Sequence, residues 1–117
     1  MATILQIKKP RSLETIDIIV DDQDKWVSRW KWSAWRGKRN LGYYAVRSIR
    51  AGRKTKQIHL HSLIAGSLPG EKVEHLDGNS LNCKRMNLLV DGVCVLDLKD
   101  RKPITKLNYN NYLGLFL

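Results

Sequence analysis

Apolar and polar positions near the start of the chain predict a strand followed by a short helix. Residues 16–20 have the sequence Ile-Asp-Ile-Ile-Val, a β-branched run typical of a strand. Asp21 or Asp22 is a suitable N-cap for a helix in which three apolar residues recur at helical spacing: Trp26, Val27 and Trp30. Residues 1–14 mix apolar and basic positions around Pro10, which predicts an extended arm or an edge strand.

Three further strands are predicted from short runs of alternating character at residues 30–35, 43–50 and 56–60. Turns containing glycine separate them, at residues 37–42 and 51–54, so the three strands are expected to form an antiparallel meander. Residues 61–65 then predict one or two helical turns that end at Gly66.

The length of 117 residues fits one domain with a modest core, and the mixture of elements predicts an α+β fold with an antiparallel, β-rich N-terminal part. No run of about 18 apolar residues occurs, and the N-terminus lacks the pattern of a secretion signal, so we expect a cytoplasmic protein without a membrane span. The two cysteines, Cys83 and Cys94, are expected to be free thiols.

The charge is strongly positive and unevenly distributed. The formal net charge is +10, and residues 25–56 contain eleven Lys or Arg and no Asp or Glu, whereas residues 57–117 contain seven basic and six acidic residues. A cationic surface without local acids predicts a polyanionic partner, nucleic acid first. We expect the DNA contacts to be those that flank the turns and one strand of the meander: Arg36, Lys38, Arg39, Arg47, Arg50, Arg53 and Lys54.

Aromatic residues are interleaved with these cations, which has two interpretations. Rings beside phosphate-binding cations stack on bases in many nucleic-acid-binding proteins. The tryptophans are also the largest side chains available to fill the interior of a chain with a single Phe. We expect the tryptophans to lie mainly in the core: Trp26, Trp30, Trp32 and Trp35.

Glu74 and His75 stand together at the end of a strand-like run and before a polar loop, Asp77-Gly78-Asn79. Adjacent strand residues point to opposite faces, so the two side chains meet only where the strand ends and the backbone bends. A carboxylate that binds a divalent ion and a neutral histidine that accepts a proton are the groups needed to hydrolyse a phosphodiester. The simpler alternative is a surface strand end with a solvated Glu and a partly buried His.

The longer segment LHSLIAGSLPGEKVEHLDGNSLNCKRMNLL resembles the core of the phage-type HNH endonucleases of the His-Me finger superfamily. Those proteins have Leu-His-Arg-Leu-Ile, a Pro/Gly turn, Val-Asp-His-Ile-Asn-Gly, and then Leu-Asp-Asn-Arg-Arg followed by Asn-Leu-Arg. The upstream segments IIVDDQDKWVSRWKWSAW and GYYAVRSI are also similar to the family, so the resemblance covers roughly residues 16–90. It implies a single domain with three parts: a basic, aromatic, DNA-binding part at 1–56, an HNH-like ββα motif at 57–102 and a tail at 103–117.

The resemblance implies a role for individual residues. His75 would be the general base, Asn87 the residue that orients it, and Glu74 the first ligand of a single Mg²⁺ or Mn²⁺ ion, in a position where the family usually has Asp. The family's second metal ligand would fall near Leu96, and Asp97 is the nearest residue able to replace it. The implied reaction is hydrolysis of double-stranded DNA, by a phage-encoded protein acting inside a bacterial host.

Three alternatives remain open at this point. A ligand set with Glu74 for Asp and Leu96 for Asn or His is degenerate, so a catalytically impaired relative that acts as a DNA-binding or inhibitory protein is the main rival of an active nuclease. An RNA-binding module would account for the charge but not for the motif. His59, His61, His75 and a cysteine contain the donors of a zinc site, although their spacing matches no usual zinc motif.

Overall fold

The protein has an α+β fold with a mostly β core and few helices. The computed structural model describes residues 2–9, 11, 13–36, 42–68, 70–98, 104–105 and 108–114. The strands are β1 (Ala2–Lys8), β2 (Thr15–Asp21), β3 (Ser33–Arg36), β4 (Tyr43–Ala51), β5 (Lys54–His59), β6 (Val73–His75), β7 (Leu88–Val90) and β8 (Val93–Cys94). The helices are α1 (Leu60–Ala65), α2 (Tyr109–Gly114) and three 3-10 helices: Asp22–Arg29, Arg85–Asn87 and Val95–Asp97.

The larger sheet contains five strands in the order β2-β1-β3-β4-β5. The β3/β4 and β4/β5 pairs are antiparallel, which confirms the predicted meander of these three strands. β1 is antiparallel to β2 and meets β3 in parallel at Lys8 and Ser33. The expectation of an arm or edge strand for the N-terminal residues was wrong, because β1 lies inside the sheet. Leu5 and Ile7 of β1 are buried in the core, and β1 pairs with β2 along its length and with β3 at Lys8.

The segment after β2 is a short helix, as predicted, but it is a 3-10 helix and lacks the expected side-chain N-cap. Asp21 makes no side-chain cap hydrogen bond, and one of its carboxylate oxygens instead accepts a hydrogen bond from the backbone N of Arg85 at 2.8 Å. Val27 and Asp24 are the buried residues of this helix. The carboxylate of Asp21, which was expected to cap the helix, therefore binds the distant residue Arg85 instead.

Helix α1 begins directly after β5, and its position agrees with the prediction to one residue. Gly66 ends the helix in the left-handed conformation with φ 67°, which places its N–H on the carbonyl of Leu63. Leu63 and Ile64 are buried against the sheets. The helix therefore carries the chain from the large sheet to the small one.

The smaller sheet has the order β6-β7-β8, with antiparallel pairs that place Glu74 opposite Leu89 and His75 opposite Leu88. Asp91 and Gly92 both have positive φ angles, 49° and 86°, and form the tight turn between β7 and β8. Where the resemblance implies the closing α-helix of a ββα unit, the described residues form β8 and a 3-10 helix. Residues 99–102, the last part of the segment implied to be a ββα motif, lie outside the described part of the chain.

The C-terminal segment contributes to the core. Tyr109 and Tyr112 of α2 are buried, and the hydroxyl of Tyr112 donates to the carbonyls of Ser62 and Ser67 at 3.1 and 2.8 Å. Trp32 is also buried, and its indole N–H donates to the carbonyl of Val27 at 2.8 Å. Within the described residues, the helices are too short and too polar to cross a membrane.

The tryptophans divide into two groups. Trp32 lies in the core and Trp26 and Trp30 pack against it, as expected, but Trp35 is 38% exposed. Trp35 is paired with Tyr44 across β3 and β4 and points to the opposite face of the sheet from its buried neighbour Ala34. The expectation that all four lie in the core was therefore wrong for Trp35.

Candidate functional site

Glu74 and His75 are the last two residues of β6, and their side chains point to opposite faces of the strand. Glu74 is exposed and forms an ion pair with Lys72, with 3.0 Å between the Oε1 and Nζ atoms. Lys72 shares its face because the two residues are two positions apart in an extended chain. Glu74, the expected metal ligand, thus interacts with Lys72 on one face of β6, while His75, the expected base, points to the other face.

The imidazole of His75 lies in a cluster of rings that we call the histidine-ring cluster, comprising Trp35, Tyr44, His59, His61 and His75. His61 is central, with ring centroids 5.1 Å from both His59 and His75. Tyr44 is 6.3 Å from His75 and 6.5 Å from Trp35, and its ring therefore connects the candidate base with the exposed indole. β3, β4, β5, α1 and β6 each contribute one residue, so the cluster lies where the two sheets meet.

Burial keeps these histidines uncharged. It lowers the pKa of His59, and it lowers the pKa of His61 to about 3, an effect that the neighbouring imidazoles of His59 and His75 increase. The pKa of His75 is also lowered by burial, although the carboxylate of Asp77 opposes the shift. A neutral imidazole is the form that accepts a proton, so His75 is in the state that a general base requires.

Two nitrogens of the cluster are buried without a hydrogen-bond partner among the described residues, His59 Nδ1 and His75 Nε2. An unpaired buried polar atom costs free energy, about 1–3 kcal/mol. Such atoms are uncommon in folded proteins and often occur where a ligand or a catalytic group acts. The cluster thus has unused hydrogen-bonding capacity.

Asp77 is the carboxylate that interacts electrostatically with His75, a role that the sequence did not indicate. Its oxygens accept hydrogen bonds from the backbone N of Asn79 at 2.8 Å and from the side-chain amides of Asn87 at 2.9 Å and Asn82 at 3.0 Å. These bonds lower the pKa of Asp77 and keep it ionised. The signal in the sequence is an Asp two positions beyond the His, in a segment whose composition by itself predicts only a bend.

Asn87 holds the loop that follows His75. Its amide donates to Asp77 Oδ1 and to the carbonyl of Asn82, both at 2.9 Å, and its Oδ1 accepts from the backbone N of Asp77 at 3.0 Å. Its own carbonyl accepts from the backbone N of Leu76 at 2.7 Å. Asn87 therefore makes its contacts with the loop and with Asp77, and any effect on the orientation of the imidazole passes through them.

A buried ion pair connects this loop to the large sheet. The guanidinium of Arg85 donates to Asp24 through two hydrogen bonds, at 2.9 Å from Nε and 2.6 Å from Nη2. Hydrogen bonding to Asp24 raises the pKa of Arg85, so the guanidinium stays protonated. Backbone bonds between Ile19 and both Leu81 and Cys83 reinforce the connection. The 3-10 helix that contains Asn87 is thus fixed by the N-terminal half of the chain.

The two residues expected to bind a metal ion, Glu74 and Asp97, are both exposed. Asp97 is exposed at the end of its 3-10 helix, and Glu74 is paired with Lys72. Across the described ranges, no group of three or more His, Cys, Asp or Glu side chains is arranged to hold a metal ion. Of the cysteines in the zinc alternative, Cys83 is buried in the hydrophobic core, and burial raises the pKa of its thiol to about 12.

The predicted DNA-binding cations have different environments. Arg50, Arg53 and Lys54 are exposed around the turn between β4 and β5. Arg47 is half-buried, stacks over Trp30 at 4.9 Å and donates a hydrogen bond to the hydroxyl of Tyr109. Arg36 is the last residue of β3, and the remaining two, Lys38 and Arg39, lie outside the described residues.

Comparisons with protein-family models, with curated proteins and with solved structures found no match for this chain.

Proposed function

We propose that this protein is a DNA-binding, HNH-type endonuclease that hydrolyses a phosphodiester bond in duplex DNA. The observation that supports the proposal best is the environment of His75. Its imidazole is kept neutral by burial at the end of β6 and interacts with the ionised carboxylate of Asp77. This pairing of a neutral base with a fixed anion is what activation of water requires.

In this proposal His75 accepts the proton of the attacking water. The imidazolium that forms is stabilised by Asp77, whose carboxylate is held in place by the hydrogen bonds of Asn79, Asn82 and Asn87. The exposed cations of the β4–β5 turn attract the phosphate backbone and bring a strand of DNA towards the histidine-ring cluster.

Only the resemblance to HNH endonucleases implies a Mg²⁺ or Mn²⁺ ion. It would polarise the phosphate and stabilise the leaving oxygen. The residues that would hold it are Glu74, which is paired with Lys72, and Asp97, which is exposed.

Nicking of supercoiled plasmid tests the proposal. Wild-type protein is incubated with Mg²⁺, with Mn²⁺ and with EDTA, beside His75→Ala and the control Gln6→Ala, which alters an exposed residue of β1. We expect nicking by the wild type and by Gln6→Ala, and a loss of about 10²–10⁴-fold in His75→Ala. Intact plasmid with the wild type, or equal nicking by His75→Ala, would refute the catalytic assignment.

The second candidate function is DNA binding without cleavage, as a DNA-binding or inhibitory protein. The ion pair between Glu74 and Lys72 and the exposed apolar residue Leu96 favour it, because both occupy places where an active relative needs metal ligands. In this case plasmid stays intact while the affinity for duplex DNA remains high and decreases steeply with added salt. Affinity that does not change with salt would contradict both candidate functions.

A further inference from the structure

The exposed indole of Trp35 is not explained by the packing of the fold. Trp35 lies on β3, an interior strand of the large sheet, and is 38% exposed, whereas Trp32 on the same segment is only 5% exposed. Burying an aromatic side chain is favourable, so a ligand that covers the exposed part of this indole would gain free energy. An exposed aromatic on a cationic protein is a feature of single-strand-binding surfaces.

The ring of Trp35 is not stacked on any described neighbour. Its plane is inclined by 44° to Tyr44 and by 69° to His59, at centroid distances of 6.5 and 6.0 Å. Trp30 and Tyr109, by contrast, are stacked at 4.4 Å with an angle of 23°. The described rings next to Trp35 are therefore tilted or perpendicular to its indole. None of them is stacked parallel to the indole, as a planar ligand would be.

The surface around Trp35 carries hydrogen-bonding and cationic groups but no carboxylate from the meander. The register of β4 and β5 places Ser48 opposite Gln57 and Arg50 opposite Thr55, on the face that also carries Tyr44 and His59. These four polar residues are exposed. Because residues 25–56 contain no Asp or Glu, this face is complementary in charge to a polyanion and not to a basic or apolar partner.

Trp35 is also close to the candidate base. Two ring-to-ring steps, of 6.5 Å to Tyr44 and 6.3 Å from Tyr44 to His75, separate the indole from the imidazole. Successive nucleotides of one strand rise by about 3.4 Å, so a strand bound at His75 would reach Trp35 within a few nucleotides. The indole can thus contact the same strand that carries the phosphate at His75.

We propose that Trp35 is a stacking residue for an unpaired base next to the bond at His75, so that the protein prefers DNA with a gap or an unpaired nucleotide over intact duplex. This inference rests on the DNA-binding part of the proposed function. In an intact duplex the faces of the bases are covered and only their edges are accessible in the grooves. An indole has a planar face and a single donor, so it matches the face of a base better than its edge.

Binding to gapped DNA tests this proposal independently of cleavage. Affinity is measured in EDTA for a duplex with a one-nucleotide gap and for the same duplex without a gap, and 2-aminopurine is placed opposite the gap as a stacking probe. Base stacking on an aromatic side chain contributes about 1–3 kcal/mol. We expect wild-type protein to bind the gapped duplex about tenfold more tightly and to reduce the probe emission on saturation.

The variants separate stacking from folding. Trp35→Ala should lose the tenfold preference and the reduction in emission while its affinity for intact duplex stays within about twofold, and Trp35→Phe should keep most of both. Leu13→Ala, which alters an apolar residue that is 90% exposed, is the matched control and should behave as the wild type.

Failure of the stacking role and failure of the nuclease are distinguishable. Equal affinity for gapped and intact duplex, or the same probe emission with Trp35→Ala as with the wild type, would overturn the stacking role and leave plasmid nicking unaffected. Preference for gapped DNA by a protein that nicks no plasmid would support the role of Trp35 and reject the nuclease.

Discussion

Two clusters of aromatic rings lie on opposite faces of β4, and they differ in how completely they are packed. On one face Arg47 covers Trp30, which is stacked on Tyr109, while Trp26 meets both rings edge-on at 5.5 and 5.7 Å. We call this the stacked cluster. On the other face the rings of the histidine-ring cluster are tilted or perpendicular to one another, and two of its nitrogens lack partners among the described residues.

Residue composition alone does not distinguish the two clusters. Both clusters contain tryptophan and tyrosine, and each has an arginine of β4 on its side of the sheet, Arg47 or Arg50. In the stacked cluster Trp30 stacks on Tyr109 and Arg47 packs over Trp30, which stabilises the fold, although the indole nitrogen of Trp26 is buried without a partner among the described residues. In the histidine-ring cluster the unused polar atoms, the exposed indole and the neutral imidazoles leave interactions for a ligand to complete.

The largest predicted effect separates the two clusters by stability. Trp30→Ala removes the ring on which both Tyr109 and Arg47 pack, and should lower the free energy of unfolding by about 3 kcal/mol. Trp35→Ala, on the exposed face, should lower it by less than about 1 kcal/mol. Urea denaturation of both variants checks this, and equal losses would mean that the two clusters are equally structural.

A second effect follows from the pH dependence of the histidine-ring cluster. The pKa of His61 is near 6.5 when the chain is unfolded and about 3 when it is folded, so the unfolded state binds the proton first as the pH decreases. Stability should therefore be complete above pH 6.5 and decrease below it, by about 2 kcal/mol at pH 5 from His61 alone.

Urea midpoints at pH 7.5 and pH 5 measure this effect for the wild type and for His61→Leu. The variant should lose most of the pH dependence, while His59 and His75, whose pKa values are lowered in the same direction, account for the remainder. An unchanged pH dependence in His61→Leu would contradict the burial of this imidazole.

The smallest predicted effect compares the two arginines of β4. Arg47→Leu should cost about 1 kcal/mol of stability, because the contact with Trp30 and the hydrogen bond to Tyr109 are lost, and should leave the salt dependence of DNA binding unchanged. Arg50→Leu should leave stability unchanged and reduce the slope of log affinity against log salt by about one. If Arg47→Leu instead changed the salt dependence and Arg50→Leu lowered the stability, the assignment of Arg47 to packing and Arg50 to DNA binding would be wrong.

Local patterns in the sequence predicted the elements whose signals are themselves local. A β-branched run identified β2, and alternating runs identified β4 and β5. Gly66 marked the end of α1 because glycine readily adopts the left-handed conformation that ends a helix. The interior position of β1 was missed because strand order depends on distant partners. The exposure of Trp35 was missed because burial of a strand residue depends on which face the rest of the chain covers.

The candidate site was predictable in part. His75, Asn87 and the loop between them stand out in the sequence, but the hydrogen bonds that connect Asp77 to Asn82 and Asn87 depend on the folded loop. The ion pair of Asp24 with Arg85 joins residues 61 positions apart, and no local pattern specifies it. Glu74 illustrates the converse, because its partner Lys72 is only two residues away and the pairing follows directly from the extended strand.

The ion pair between Asp24 and Arg85 also limits whether residues 57–102 can be moved into another protein. Asp24 is 1% exposed and Arg85 is 6% exposed, so neither charge is solvated when the other is absent. A chimera that grafts residues 57–102 onto an unrelated protein would bury a guanidinium without its carboxylate, at a cost of about 3–5 kcal/mol. Recombination of such proteins in nature or in design would therefore succeed only where both halves of the pair are inherited together.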